Sequence, residues 1–289
     1  MKVKLLKKGF NYSQDGNGNR LVLHLQGCNM HCPWCSNPES MDTYGTLMVL
    51  SEKLLDELCP NGAISQGVLN RNLCYSCVSR ECLSTNRNSM LKLSCSVVEI
   101  DDLVMEAVKS RPLFFDNGGV TLTGGEPTLQ FNSIYSLLEK LKERGIHTAI
   151  ETNGTNPKLK ELFPIIDLLI IDFKHYDDTK HKSVLGISNT IIKENLAYAF
   201  SEHPNVWIRT PLVDGFNASE DDIIGFLDFY TKYDTSHASF ELLRYHEYGK
   251  IKWKQCGMEY TVNNGFISDS CFAKFETAYQ KAGLNVIHT

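Results

Sequence analysis

Residues 20–40 read RLVLHLQGCNMHCPWCSNPES, an apolar run followed by a loop holding Cys28, Cys32 and Cys35 at C-x-x-x-C-x-x-C spacing. The run has the length and composition of a β-strand. A structural zinc site takes four thiolate or imidazole ligands, and this loop supplies three thiols. A four-iron cubane takes one ligand per iron, so three cysteines leave one iron open. An open position on a metal is where a substrate or cofactor binds. A zinc site completed by His24 or His31 is the alternative that the loop alone leaves standing.

Downstream of residue 97 the strand candidates are GVTLTG (119–124), HTAIET (147–152), DLLIID (167–172), NVWIRT (205–210) and ASFELL (238–243). They alternate with amphipathic stretches such as NSIYSLLEKLKERG (132–145), which Gly145 stops. Further helices are expected near 189–202, 219–233 and 269–282, and LNVIHT closes the chain as a last strand. Repeated strand–helix units predict an α/β fold with a parallel sheet, the strand at 20–26 being its first member. Ligands in such folds gather beyond the C-terminal ends of the strands. The polar motifs of this chain follow directly on strands, which predicts one shared mouth.

Residues 51–96 break this rhythm: they are rich in Cys, Asn and Ser and poor in strand-forming runs. They read as an insertion held by metal rather than by a hydrophobic core. Eight of the 10 cysteines lie between residues 28 and 95, a clustering that favours metal chemistry over disulfides. Cys256 and Cys271 read as ordinary thiols.

The 289 residues, 42% hydrophobic and 22% charged, suffice for one large domain with an inserted module. A net charge of -5 gives no basic face for nucleic acid, and KLLKK (4–8) is too short to make one. No apolar run approaches the ~20 residues that span a bilayer, and MKVKLLKKGFNYSQDG lacks the apolar centre of a signal peptide. A soluble, cytoplasmic chain with neither nucleic acid nor membrane as partner is expected.

GGEP at 124–127 follows the strand VTLT, and with the cysteine loop it resembles the radical S-adenosylmethionine (SAM) superfamily. The likeness narrows to the glycyl radical enzyme activating enzymes. It rests on QDGNGNR (14–20), CPWCSNPES (32–40), GGVTLTGGEPTLQ (118–130), IETNG (150–154), IIDFKH (170–175) and ELLRYHEYGKIKWKQCGMEY (241–260). The resemblance implies a partial (β/α)6 barrel from residues 1–50 and 97–289, with 51–96 inserted as a small iron–sulfur module. It implies a 4Fe-4S cluster on Cys28, Cys32 and Cys35, with SAM on the open iron and Trp34 beside cluster and adenine. Gly124, Gly125 and Glu126 would lie at SAM's amino group, where Glu126 supports either the ammonium or the turn. Asp172, Lys174 and His246 would contact SAM, Arg209 would bind its carboxylate, and Glu151 with Thr152 would stand by a monovalent cation. The sequence departs from the family pattern at DGNGNR, at Arg244 (usually proline) and at Glu151 (usually Asp), which puts the cation site in question.

Many such activators carry a ferredoxin-like module with two C-x-x-C-x-x-C-x-x-x-C-P motifs. Here only CPNGAI (59–64) remains of the first, and C-x-x-C-x-x-x-x-C (74–82) of the second. The expected second 4Fe-4S cluster uses Cys59, Cys74, Cys77 and Cys82, with Cys95 as a substitute for Cys59 or Cys82 and a zinc site as the alternative. The implied activity is reductive cleavage of SAM and removal of a hydrogen atom from a glycine of a partner glycyl radical enzyme. Flavodoxin or ferredoxin would be the reductant and the chain a monomer. The competing readings are a radical SAM enzyme for a small molecule and an electron carrier, the latter having no use for GGEP.

Overall fold

In the computed structural model, alternation in KVKLLKKGFNY buries Val3 and Leu5 between lysines and gives β1 (Lys2–Tyr12). β1 turns into β2 (Asn19–Leu25), the expected strand, and the two pair antiparallel. The strand at 20–26 is therefore not the first of the sheet. KLLKK belongs to β1, whose short alternating part was masked by its lysines. The structure describes residues 1–75, 77–85 and 89–289; Ser76 and residues 86–88 of the insertion lie outside the described residues.

β3 (Leu47–Val49) stands just before the insertion, which includes β4 (Ile64–Ser65), β5 (Val68–Leu69) and α1 (Arg71–Tyr75). The insertion returns on β6 (Leu91–Leu93), antiparallel to β3. Leu47, Leu54, Leu58, Ala63, Ile64 and Leu91 pack with Cys74 and Cys82 into a cluster separate from the main core. The module therefore has a small hydrophobic core of its own, contrary to the expectation of metal alone. Its apolar residues are too scattered along the chain to show a period.

The main chain resumes with β7 (Ser96–Glu99), antiparallel to β1, and α2 (Ile100–Lys109). Then come β8 (Gly119–Gly124), α3 (Phe131–Glu143), β9 (Thr148–Thr152), β10 (Leu168–Asp172), α4 (Asp178–Leu185), α5 (Thr190–Glu202) and β11 (Val206–Leu212). The chain ends through α6 (Glu220–Tyr230), β12 (Ala238–Arg244), α7 (Lys250–Cys256), α8 (Asp269–Lys281) and β13 (Asn285–Ile287). One sheet runs in the order β13-β12-β11-β10-β9-β8-β2-β1-β7, parallel from β13 to β2. This is the expected α/β architecture, with α2, α4 and α7 added to the helices legible in sequence.

Helix α3 shows how the outer face is held. Ile134, Leu137, Leu138 and Leu141 recur at three- and four-residue spacing and are fully buried. Each contributes about 1.5–3 kcal/mol of burial, and Gly145 ends the turn at φ +64°. On the other face the strands alternate differently. Ala149, Leu168, Ile170 and Trp207 form a separate apolar layer. One step further along the same faces stand Glu151, Asp172 and Arg209. Apolar floor gives way to polar mouth within a single strand.

Candidate active site

Register decides which polar side chains meet. His24 lies opposite Thr123, Ile170 opposite Glu151, Asp172 opposite Arg209, and Arg209 opposite Glu241. The cysteine loop leaves β2 at the same end. Together they surround a cavity of about 510 Å³ lined by Cys28, Cys32, Trp34, Cys35, Gly124, Gly125, Glu151, Thr152, Asp172, Lys174 and His246. Eleven of the predicted site residues thus share one space, whereas Glu126 and Arg209 stand behind its wall.

The loop is folded tightly. Cys35 N–H donates to Cys32 O at 3.0 Å, and Asn37 N–H points to Cys35 Sγ at 3.4 Å. Burial pushes the Cys28 thiol up to about 12 and raises Cys32 and Cys35 in the same direction. The Lys174 ammonium acts against this at Cys28 and Cys32. A ligand set of this kind gives up its protons when metal binds. Among the described residues no three His, Cys, Asp or Glu side chains are grouped to hold a single metal ion. Three thiols lining one cavity are the donor set that would hold three irons of a cubane and leave the fourth without a protein ligand.

The two glycines are required by contact. A Cβ on Gly124, at φ +124°, would stand 2.2 Å from Leu25 N, and one on Gly125 would stand 2.1 Å from Gly27 O. The turn is therefore pressed against the start of the cysteine loop. Glu126 is fully buried and accepts from Thr128 N (3.0 Å), Thr128 Oγ1 (2.6 Å), Thr152 Oγ1 (2.7 Å) and Asn153 N (2.6 Å). Of its two expected roles, support of the turn is the one the geometry realises: both oxygens are bound within the protein, away from the cavity.

Arg209 also departs from expectation. Its Nη1 donates to Glu151 at 2.7 Å, its Nε to Glu241 at 2.6 Å, and its Nη2 to Gln14 O. The guanidinium is committed to these partners and does not line the cavity. Glu151 is correspondingly filled, Oε1 by Arg209 and Oε2 by Thr123 at 2.7 Å. Burial raises the Glu151 pKa, but Arg209 and Thr123 outweigh it and hold the carboxylate low. This donor set does not fit a monovalent cation, since the charge such an ion would neutralise already faces a guanidinium.

Lys174 Nζ donates to Asp172 Oδ2 at 2.7 Å, with the lysine buried. Burial works against the charged amine, but Asp172 and Cys32 overcome it and raise its pKa. Trp34 packs on Phe216 with ring centroids 5.0 Å apart. His246 stacks on Tyr248 at 4.3 Å, and burial lowers its pKa so that the ring is neutral. Part of the lining lies outside the residues predicted from sequence. It comes from the first hairpin, with Lys7, Asn11, Gln14, Asp15 and His24. Burial and the neighbouring Glu151 raise Asp15 to about 6. QDGNGNR was the available signal for Asp15; Lys7 and His24 carried none.

The radical SAM superfamily model matches residues 88–227, and a 4Fe-4S single cluster domain matches 14–67. The 4-hydroxyphenylacetate decarboxylase activating enzyme of Clostridioides difficile (strain 630) is 33% identical, over 92% of this chain and 94% of that protein. The chain belongs to the radical SAM activating enzymes of glycyl radical enzymes. The (2S)-3-sulfopropanediol sulfolyase activating enzyme of Bilophila wadsworthia is 32% identical over 90% of each chain. A crystallised domain of the pyruvate-formate lyase-activating enzyme from Bacteroides vulgatus superposes with TM-score 0.50 at 26% identity, covering 59% of this chain and 98% of that domain.

This activating enzyme has a second group of thiols. Cys59 and Cys77 lie near enough to act on the ionisation of Cys74, and all three on that of Cys82. Ala63 N–H points to Cys59 Sγ at 3.3 Å, and Asn61 Nδ2 to Cys77 Sγ at 3.6 Å. Hydrogen bonds from Arg80 and Ser79 lower the Cys77 pKa. Burial raises the Cys95 pKa, and the charges acting on it are Lys4 and Asp42 rather than these four thiols. Among the described residues no helix is long and apolar enough to cross a membrane.

Proposed function

We propose that this activating enzyme binds SAM in the cavity beside the cysteine loop and takes a hydrogen atom from a backbone glycine of a partner glycyl radical enzyme. The observation that carries this is the meeting of Cys28, Cys32, Cys35, the Gly124–Gly125 turn, the Asp172–Lys174 pair and His246 on one cavity. Bound there, a 4Fe-4S cluster and SAM supply one-electron cleavage to methionine and a 5'-deoxyadenosyl group that accepts the hydrogen atom. Names of relatives that act for decarboxylases and lyases support a protein partner.

The chain's own residues then have distinct tasks. Cys28, Cys32 and Cys35 hold the cluster. Gly124 and Gly125, pressed on the start of the cysteine loop, present backbone to the methionyl end of SAM, and Thr152 borders it. Lys174, kept charged by Asp172, faces a carboxylate or ribose hydroxyl. His246 accepts or donates a hydrogen bond as a neutral ring, and Trp34 offers a flat face to adenine. Arg209, behind the cavity wall, is the counter-ion of Glu151 and Glu241.

For the insertion we propose a second cluster on Cys59, Cys74, Cys77 and Cys82. Four thiolates close its coordination, which suits electron transfer and not SAM chemistry. Residues 51–96 are then a module inserted into a domain of 1–50 and 97–289, and a flavodoxin or ferredoxin supplies electrons to a monomer in the cytoplasm. Electron paramagnetic resonance of the reconstituted, reduced protein mixed with SAM and a glycyl radical enzyme from the same genome tests the main reading. A glycyl radical doublet supports it; 5'-deoxyadenosine formed at the same rate with and without that partner, and no radical, overturns it.

A further inference from the structure

One short helix touches both the catalytic loop and the insertion. The start of α7 is pressed on the catalytic loop: a Cβ on Gly249 would stand 2.3 Å from Cys35 O. Trp253 Nε1 donates to that same carbonyl at 2.9 Å. Lys252 Nζ donates to Ser36 O at 2.7 Å and pairs with Glu39 at 3.0 Å. The far end is pressed on the insertion, where a Cβ on Gly257 would stand 2.0 Å from Arg71 Nε.

Arg71 opens α1, one turn before Cys74. Its Nη1 donates to Leu47 O and its Nη2 to Gln255 O, each at 2.8 Å. Both bonds go to backbone carbonyls, one in β3 and one in α7. A cavity of about 420 Å³ lined by Arg71, Cys74, Cys256 and Met258 separates α1 from α7. Arg71 spans that gap.

We propose that α7 is the bonded route from the inserted site to the catalytic loop, with Arg71 and Trp253 as its two positioning residues. The inference rests on the reading of the insertion as a second cluster site. The route runs from Cys74 along α1 to Arg71, across the hydrogen bond to Gln255 O, back along α7 to Trp253, and across the hydrogen bond to Cys35 O. Two hydrogen bonds join three stretches of covalent chain. A reduced low-potential one-electron carrier docking at the insertion, where Cys77 is accessible, gives up one electron. The loop site gains that electron; no bond is made or broken and no proton moves.

The test uses the full reconstituted chain with reduced flavodoxin or with dithionite, a small reductant that reaches the open cavity directly. Freeze-quench electron paramagnetic resonance follows reduction of the loop cluster, and iron analysis gives the cluster count. Arg71→Met and Trp253→Phe should each slow reduction by flavodoxin about tenfold, a change well resolved on a rate scale. Reduction by dithionite should stay within about twofold of wild type on the same scale. Equal slowing with both reductants, or none with either, overturns the route while the second cluster stands at about eight irons per chain. About four irons in wild type overturns the reading of the insertion itself, and the route with it.

Discussion

Arg209 Nη1 lies 2.7 Å from Glu151 Oε1, an ion pair in which the arginine side chain is 5% and the glutamate 18% exposed. Glu241 holds the other edge of the same guanidinium at 2.6 Å. This cation is buried between two carboxylates, and the arrangement has a direct consequence for ions. SAM should bind equally well in potassium chloride and in tetramethylammonium chloride of the same ionic strength, by isothermal titration. An affinity that collapses without an alkali cation would show that a metal ion displaces Arg209.

Arg209→Met leaves Glu151 and Glu241 facing each other in a buried space. The loss should be about 3–5 kcal/mol, the usual result of removing one partner from a buried pair. Denaturant unfolding of the purified chain measures it. A change below about 1 kcal/mol would place the pair among solvated surface contacts.

Cys32→Ala should abolish 5'-deoxyadenosine production under reducing conditions, because two thiolates cannot hold an open-site cubane. Asp172→Ala and His246→Ala should instead weaken SAM binding or turnover at unchanged iron content. Iron lost from either of these two variants would make the residue structural, and full activity would remove it from the site.

Reconstituted wild type should carry about eight irons per chain, from two cubanes. Cys77→Ala should fall to about four, with the loop cluster and SAM cleavage by dithionite retained. Cys95→Ala should lose none, since Cys95 lies apart from the four thiols. About twelve irons in wild type would mean that the insertion holds two clusters.

His24 predicts a pH dependence. Burial holds its pKa at about 4 in the folded chain, against an ordinary value of 6.5. Above about 6.5 the ring is neutral in both states and contributes nothing. As pH falls from 6.5 toward 4 the unfolded chain takes up a proton that the folded chain refuses, so stability is lost across that window. His24→Gln should be less acid-sensitive there, by on the order of 1–3 kcal/mol at pH 4. Asp15 works in the opposite direction, because a folded pKa raised to about 6 favours the folded state as pH falls through that value. Comparing wild type with His24→Gln at each pH isolates the histidine. Parallel unfolding curves for the two would show that His24 titrates normally.

By itself the sequence determined what local covalent spacing dictates. Three cysteines within eight positions lie on one loop in any fold, and a glycine pair after a strand marks a tight approach. Apolar runs of five or six residues between helical periods give the order of the parallel strands. The spacing of Cys74, Cys77 and Cys82 likewise confines them to one short segment. Only the tertiary structure decided who faces whom. Arg209 meets Glu151 across 58 positions and Glu241 across 32, through the register of four strands. No local pattern encodes that pairing, so an arginine legible as a ligand contact became a buried counter-ion. Glu126 likewise turned inward, because Thr128, Thr152 and Asn153 offer four donors where the sequence shows only a turn. β1 and the small core of the insertion are not legible in sequence for a related reason: burial is decided by neighbours distant in sequence, while periodicity reports only the chain's own alternation.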